Sequence, residues 1–280
     1  MTKREGPRRH IVIPDCQIRP GVPTDHIDWI GEYIAEKKPD VVVCLGDFWD
    51  LASLNSHSEK GSQPLEGTRY KDDIWVGNEA FKRLSAPIDK EHARIYASHK
   101  ARWNLRKVFL KGNHEIRADR VINNDPKYTG VLSSDDCLTP GWERHEFLKV
   151  VEIDGILYSH YFKMQNSNNP IGGSTDNRLN KIGATHVQGH QVGFLYGNRV
   201  YPDGKTRHSL TCGSAYVHDE DYRGPQCNKH FRGIVVLQEV HDGDFLVMPV
   251  SLDFLCRKAT GKTLQQFLRL KYPTNEWNNL

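Results

Sequence analysis

Val108-Phe109-Leu110-Lys111-Gly112-Asn113-His114-Glu115 is the stretch from which the rest of the chain can be read. Val108 to Leu110 read as the end of a buried strand, and Gly112 permits a tight turn that a side chain would resist. Asn113, His114 and Glu115 follow at once, where a loop leaves the carboxyl end of a strand. Open α/β sheets carry their chemistry at that end. An Asn side chain offers a carbonyl oxygen to a metal, His moves a proton, and Glu orients a neighbouring His. A plain strand-to-helix turn with a polar cap gives the same letters, so the motif takes its meaning from its surroundings.

Four other strand ends carry residues of the same kind. His10 to Ile13 is a short strand leading through Pro14 to Asp15, with Gln17 two residues on. Asp40 to Leu45 is a continuous apolar run of the type buried on both faces, and it ends at Gly46-Asp47-Phe48-Trp49-Asp50. Glu146–Ile153 and Ile156–Phe162 flank the hairpin signal Asp154-Gly155, and the second of these strands carries His160. Ala184 to Gln188 runs into Gly189-His190. Five coincidences of a ligand-type residue with a strand end point to one shared site.

The intervening segments supply the layers. A helix runs from Thr24 or Asp25 to about Lys37, with Ile27, Ile30 and Ile34 on one face and Pro39 as its stop. Helical pattern extends from about Tyr70 to Arg106, interrupted near Pro87, and reads as a hairpin of helices capping the site. Shorter helices follow from Glu115 to Ile122 and from Thr175 to Ile182. Pro202-Asp203-Gly204-Lys205 and Asp242-Gly243 mark two further hairpins, and a weakly amphipathic helix lies beyond Arg257. The chain therefore divides into a basic arm (1–9), one domain (10–256) with a helical insertion at about 68–106, and a tail (257–280). Two packed sheets with helices outside fit this order, an α/β class.

Composition narrows the function. A net charge of +3 is too small to argue for nucleic acid by itself. No apolar run is long enough to span a bilayer, and MTKREGPRRH is not followed by a signal-type apolar segment. The six cysteines form no C-x-x-C pair and read as reduced thiols of a cytoplasmic protein, with Cys16 filling space. His92, His99, His145, His208, His230 and His241 read as surface residues. His57, in the loop after Asp50, and Arg117, one turn beyond His114, are the candidate substrate contacts. Gly213 to Tyr222 reads as a loop or as part of the site rim. Between Lys82 and Lys107 basic residues interleave with Tyr96 and Trp103, as a nucleic-acid track would, or as a solvated helix face.

Asp15-x-Gln17, Gly46-Asp47-x-x-Asp50, Gly112-Asn113-His114-Glu115, His160 and Gly189-His190 together resemble the calcineurin-like metallophosphoesterases. That family's pattern is D-x-H, G-D-x-x-D, G-N-H-[DE], H and G-H-x-H. The resemblance covers about residues 10 to 215 and extends to stand-alone members carried by phages and bacteria, for which the compartment would be the host cytoplasm. It implies a four-layer αββα sandwich of two mixed β-sheets and a two-metal centre. Asp47 would bridge the ions, Asn113, His160 and His190 would complete one site, and Asp15 and Gln17 would belong to the other. His114 would protonate the leaving oxygen, with Glu115 or Asp50 fixing its tautomer. Gln17 and Val192 stand where the family has histidines, and both losses fall on the second site. One firm and one weaker site follow, with Mn²⁺ the best match and Mg²⁺, Fe, Zn²⁺ or Ni²⁺ within range. Gln191, His186 and His218 are the nearby candidates to replace the lost ligand, but strand alternation gives neighbouring side chains different directions and argues against each.

The implied activity is hydrolysis of a phosphodiester in DNA, RNA or a nucleotide, by attack of a metal-bound hydroxide. A phosphomonoesterase is the first alternative, although no Arg follows Asp50 as in the Ser/Thr protein phosphatases. A degenerate binding module, like the retromer subunit of that fold, is the second.

Overall fold

A computed structural model describes residues 6–55, 65–99, 102–220 and 228–274. β1 (Arg8–Ile13), β2 (Val41–Cys44) and β3 (Arg106–Leu110) pair in parallel, with α1 (Asp25–Lys37) and α2 (Tyr70–Ala97) in the crossovers. After α3 (Arg117–Asn124), β4 (Glu143–His145) adds a fourth parallel strand. β5 (Val151–Ile153) and β6 (Ile156–Ser159) turn at Asp154-Gly155 and open a second sheet. α4 (Thr175–Ile182), β7 (His186–Gln188), β8 (Phe194–Val200) and β9 (Thr206–Cys212) complete that sheet. β10 (Gly233–His241) and β11 (Asp244–Ser251) return to the first, and α5 (Leu252–Thr260) and α6 (Leu264–Lys271) follow. Among the described residues the orders are β11-β10-β1-β2-β3-β4 and β5-β6-β7-β9-β8.

Strand alternation feeds two cores. Val12, Val43 and Val108 face Tyr158, Val187 and Leu210 between the sheets. Ile11, Val42 and Phe109 face the other way, onto Ile30 of α1 and Phe81 of α2. α4 covers β8 and β9 on the far side. The result is an α/β sandwich of two mixed sheets with helices outside, as the strand and helix order implies. The parallel strands of both sheets end on one side, and the ligand-type residues follow those ends.

Several local expectations give way to packing. α2 is one 28-residue helix with Pro87 inside it, not a hairpin over the site. Its apolar stripe (Phe81, Leu84, Ile88, Ile95) continues through the proline and lies in the outer core beside α1. α1 and α2 approach so closely that a Cβ on Gly31 would come within 2.5 Å of the Leu84 carbonyl oxygen. That continuous burial offsets the ~3 kcal/mol cost of an internal proline. The expected strand over 146–153 is shorter, because Leu148 adopts a left-handed φ of 63° and Lys149 N–H bonds the Glu146 carbonyl. Glu143–His145 joins β3 instead.

At the amino end, Arg8 and Arg9 are structural, and residues 1–5 lie outside the described part. Arg8 holds Asp154, while Arg9 bonds Gln238 and the Lys37 carbonyl. The boundary at 256/257 falls inside α5. Phe267 meets Trp29 edge-on and Tyr272 bonds Asp25, so α6 belongs to the helical layer of α1. His208 is buried, not exposed: it stacks on Phe245 and bonds Asp244 and Tyr196. The five described cysteines are buried and free, and Cys227 lies outside the described residues. No helix among the described residues is long and apolar enough to cross a membrane.

Candidate metal centre

Three loops are sewn together before any ligand is considered. Glu115 is fully buried, and its carboxylate accepts N–H bonds from Gly112 (2.7 Å), Asp47 (2.9 Å), Phe48 (2.7 Å) and Trp49 (3.2 Å). It joins the loop after β3 to the loop after β2, and it does not touch the His114 ring as the sequence suggested. Asp47 O in turn accepts from Cys16 and Gln17 N–H, which ties in the loop after β1. Gly112 is required for room rather than for a positive φ, since a Cβ there would lie 2.1 Å from Asp47 Oδ1. Gln17, Asp47 and His190 have left-handed φ values of 45°, 49° and 64°. Such strain in non-glycine residues collects at functional sites.

The ligand-type side chains converge. Asp47, His160 and His190 each offer an atom within 4.8 Å of the others, and this buried group can hold a metal ion. His160 Nδ1–H donates to the Leu45 carbonyl (2.8 Å), so Nε2 is the nitrogen turned inward. A ring fixed this way presents the right nitrogen to a metal. That Nε2 lies 2.9 Å from Asn113 Oδ1 and 3.3 Å from Asp47 Oδ2. Burial alone would lower the His160 pKa, but Asp47 outweighs it and lifts the pKa to about 9. His190 moves the other way, to about 4, through burial and the His160 charge. The pocket therefore favours a positive charge at one point, where a cation would replace a proton.

Asp15 and Gln17 flank this group. Asp15 Oδ1 accepts from His190 N–H (3.0 Å), while Asp15 Oδ2 and Gln17 Oε1 are buried with no hydrogen-bond partner. Burial and the Asp47 charge push the Asp15 carboxyl well above the usual range. A buried acceptor without a partner on each of Asp15 and Gln17 is what a weakly held cation would satisfy. The suggested replacements for the lost ligand are engaged elsewhere, with only His218 Nδ1 left buried without a hydrogen-bond partner. Gln191 Oε1 accepts from Arg178, His186 bonds the Ala184 carbonyl and Ser209, and His218 bonds Glu220.

His114 is held by Asp50. Its Nδ1 donates to Asp50 Oδ1 (2.9 Å), and its Nε2 lies 3.7 Å from Asp47 Oδ2. Burial would lower its pKa, but Asp47 and Asp50 outweigh that and raise it. Arg117 is neither a free phosphate ligand nor a solvated residue. Its Nη1 bonds the Asp50 and Leu51 carbonyls, and its Nη2 reaches His114 Nε2 at 3.1 Å. A guanidinium only donates, so the protonated form of His114 requires Arg117 to move away. His57 lies outside the described residues.

The sequence did not point to Arg19, and it offered His218 and Glu220 only as a spare ligand and as part of a rim or loop. Arg19 Nη1 bonds Asp50 Oδ2 (2.7 Å) and Glu220 Oε1 (3.2 Å), and Glu220 Oε1 also pairs with His218 Nε2 (2.8 Å). Gly213 to Glu220 is a mostly buried connector rather than a rim, and Arg19 links its Glu220 to Asp50; residues 221 and 222 lie outside the described part. A second omission is the wall beside the metal group. Tyr161 lies 4.7 Å from the His190 ring and 5.5 Å from Phe147, with the Arg120 guanidinium 6.0 Å over Phe147. Only the aromatic run Tyr161-Phe162 after His160 hinted at it.

A scan against protein-family models found no match, and a search of curated proteins found none either.

Proposed function

We propose that this protein is a metal-dependent phosphoesterase of the calcineurin-like kind. One observation carries the reading: the convergent Asp47, Asn113, His160 and His190 donors adjoin a histidine, His114, that is itself held by a carboxylate. Asp47, Asn113, His160 and His190 would hold the firmer ion, and Asp15, Gln17 and Asp47 the weaker one. Mn²⁺ matches a mixed imidazole, carboxylate and amide-oxygen set best. Bound ions would supply charge neutralisation for phosphoryl oxygens and acidify a water. The chain supplies the rest. Asp50 keeps His114 Nδ1 protonated, and His114 Nε2 gives a proton to the leaving oxygen once Arg117 has turned off it. Glu115 keeps the loops in register without touching substrate.

Diesters are favoured over monoesters because Phe147, Tyr161 and Arg120 put aromatic and cationic partners for a second organic substituent beside the His190 ring. The Lys82–Lys107 stretch, where Tyr96 is exposed, supports a general nucleic-acid track only weakly, because most of its described basic residues are paired. Lys82 pairs with Glu79, Arg83 with Asp28, Arg94 with Glu91, Arg106 with Glu143 and Lys107 with Asp89. Trp103 is buried against the Pro39 carbonyl, and Lys100 lies outside the described residues.

The test is hydrolysis of a chromogenic diester and its monoester by chelator-stripped protein with Mn²⁺ restored, beside His114→Ala. Metal-dependent turnover that falls ~10²-fold or more in the variant is expected. A wild type inactive on both esters with metal bound would leave the binding-module alternative standing.

A further inference from the structure

Asp50 is a crowded residue for a side chain whose task is to orient one histidine. Its Oδ1 holds His114 Nδ1, and its Oδ2 is taken by Arg19 Nη1 at 2.7 Å. Arg19 comes from the loop after β1, Asp50 from the loop after β2 and His114 from the loop after β3. The same Nη1 is shared with Glu220, which arrives from the second sheet through the buried connector after β9. Glu220 is itself fixed three ways. Its N–H donates to Asn228 Oδ1 (3.0 Å), its carbonyl accepts from Asn228 Nδ2 (3.1 Å), and its carboxylate pairs with His218. Asp50, Glu220 and His218 are nearly inaccessible, while the Arg19 side chain keeps 26% of its surface exposed. A partly exposed guanidinium shared between two buried carboxylates ties one to the other, beside a second neighbour of each, Arg117 (3.4 Å from Asp50 Oδ1) and His218 (2.8 Å from Glu220 Oε1).

We propose that Arg19 and Glu220 are positioning residues for the proton donor. The pair clamps Asp50 Oδ2, which leaves Oδ1 as the oxygen that fixes the His114 ring plane, and it makes that plane depend on the second sheet. Arg19 bonds Asp50 and Glu220 rather than the metal-ligating residues, so its effect should pass through Asp50 to His114. The proposal rests on the phosphoesterase reading for its kinetic consequence but not for its structural one, and two measurements separate these.

The first compares Arg19→Gln and Glu220→Gln with wild type on two diesters, one releasing p-nitrophenol and one releasing an alkyl alcohol. Loss of a positioned acid hurts a poor leaving group far more than a good one. The expected result is a kcat at least ~10-fold more reduced on the alkyl ester than on the nitrophenyl ester, with KM and bound Mn²⁺ unchanged. Equal losses on both esters, or a loss confined to KM, would overturn it and make Arg19 a substrate ligand. The second is ¹⁵N NMR of histidine-labelled protein, which needs no turnover. A single Nδ1–H tautomer for His114 in wild type, giving way to a tautomer mixture in Arg19→Gln, is expected. An unchanged His114 signal would overturn the proposal even if the protein hydrolyses nothing, and Arg19→Lys, which keeps the charge but loses the fork, should restore it only in part.

Discussion

Asp50 takes the contact with His114 and Glu115 takes four backbone N–H groups, where the sequence left both open as the partner of that histidine. The place of Glu115 beside Asn113 and His114 was legible because polar residues at a strand end stand out in sequence. Its backbone bonds were not, since three of the four depend on where a loop some 66 to 68 positions away is packed. Glu115→Gln should cost a few kcal/mol of stability, because an amide nitrogen would face N–H donors in a buried site. Thermal melting would show it, and a variant that melts normally but has lost turnover would restore the catalytic role. Arg19 and Glu220 escaped for a related reason: they meet across 201 positions, and neither sits in a recognisable motif. His160 yields a pH prediction. Its pKa is raised to about 9 from an ordinary 6.5, so its contribution to stability is complete below pH 6.5 and is lost as the pH rises to 9. Chelator-stripped protein should therefore melt at a lower temperature at pH 9 than at pH 6.5, and His160→Gln should flatten that part of the profile. A metal ion, which displaces the proton, should raise the melting temperature more at the higher pH.

Elements were read well where local chemistry settles them. The turns at Asp154-Gly155 and Asp242-Gly243 were legible because left-handed residues are needed there, and Asp154, Gly155, Asp242 and Gly243 all have positive φ. α2 was not, because a proline argues locally for a break while the stripe packed against α1 lies elsewhere in the chain. The carboxyl-terminal helices were underrated for the same reason. Leu264 and Leu268 are buried, and Phe267 packs on Trp29. Truncation after Gly261 should lower stability by several kcal/mol, on the burial of two leucines and an aromatic. Denaturant unfolding would measure it, and an unchanged midpoint would mean that α6 contributes nothing to the helical layer.

At the scale of the whole molecule, the sandwich followed from strand–helix alternation in the first half and hairpins in the second. Charge distribution did not follow, because a run of lysines and arginines gives no sign of which acids lie across from it. The basic stretch on and after α2 is largely paired. Reversing Lys82 and Arg94 to Glu together should change affinity for duplex DNA by less than about twofold at moderate salt. A fall of tenfold, measured by fluorescence anisotropy, would reinstate that face as a track.

The most direct measurement is a Mn²⁺ titration of chelator-stripped protein, with bound manganese counted by electron paramagnetic resonance and diester hydrolysis followed in the same samples. The expected result is a tight first ion and a weaker second one, with turnover rising as the second fills and both ions lost in Asp47→Asn. Hydrolysis that persists without metal, or full occupancy without hydrolysis of diester or monoester, would contradict a metal-dependent phosphoesterase.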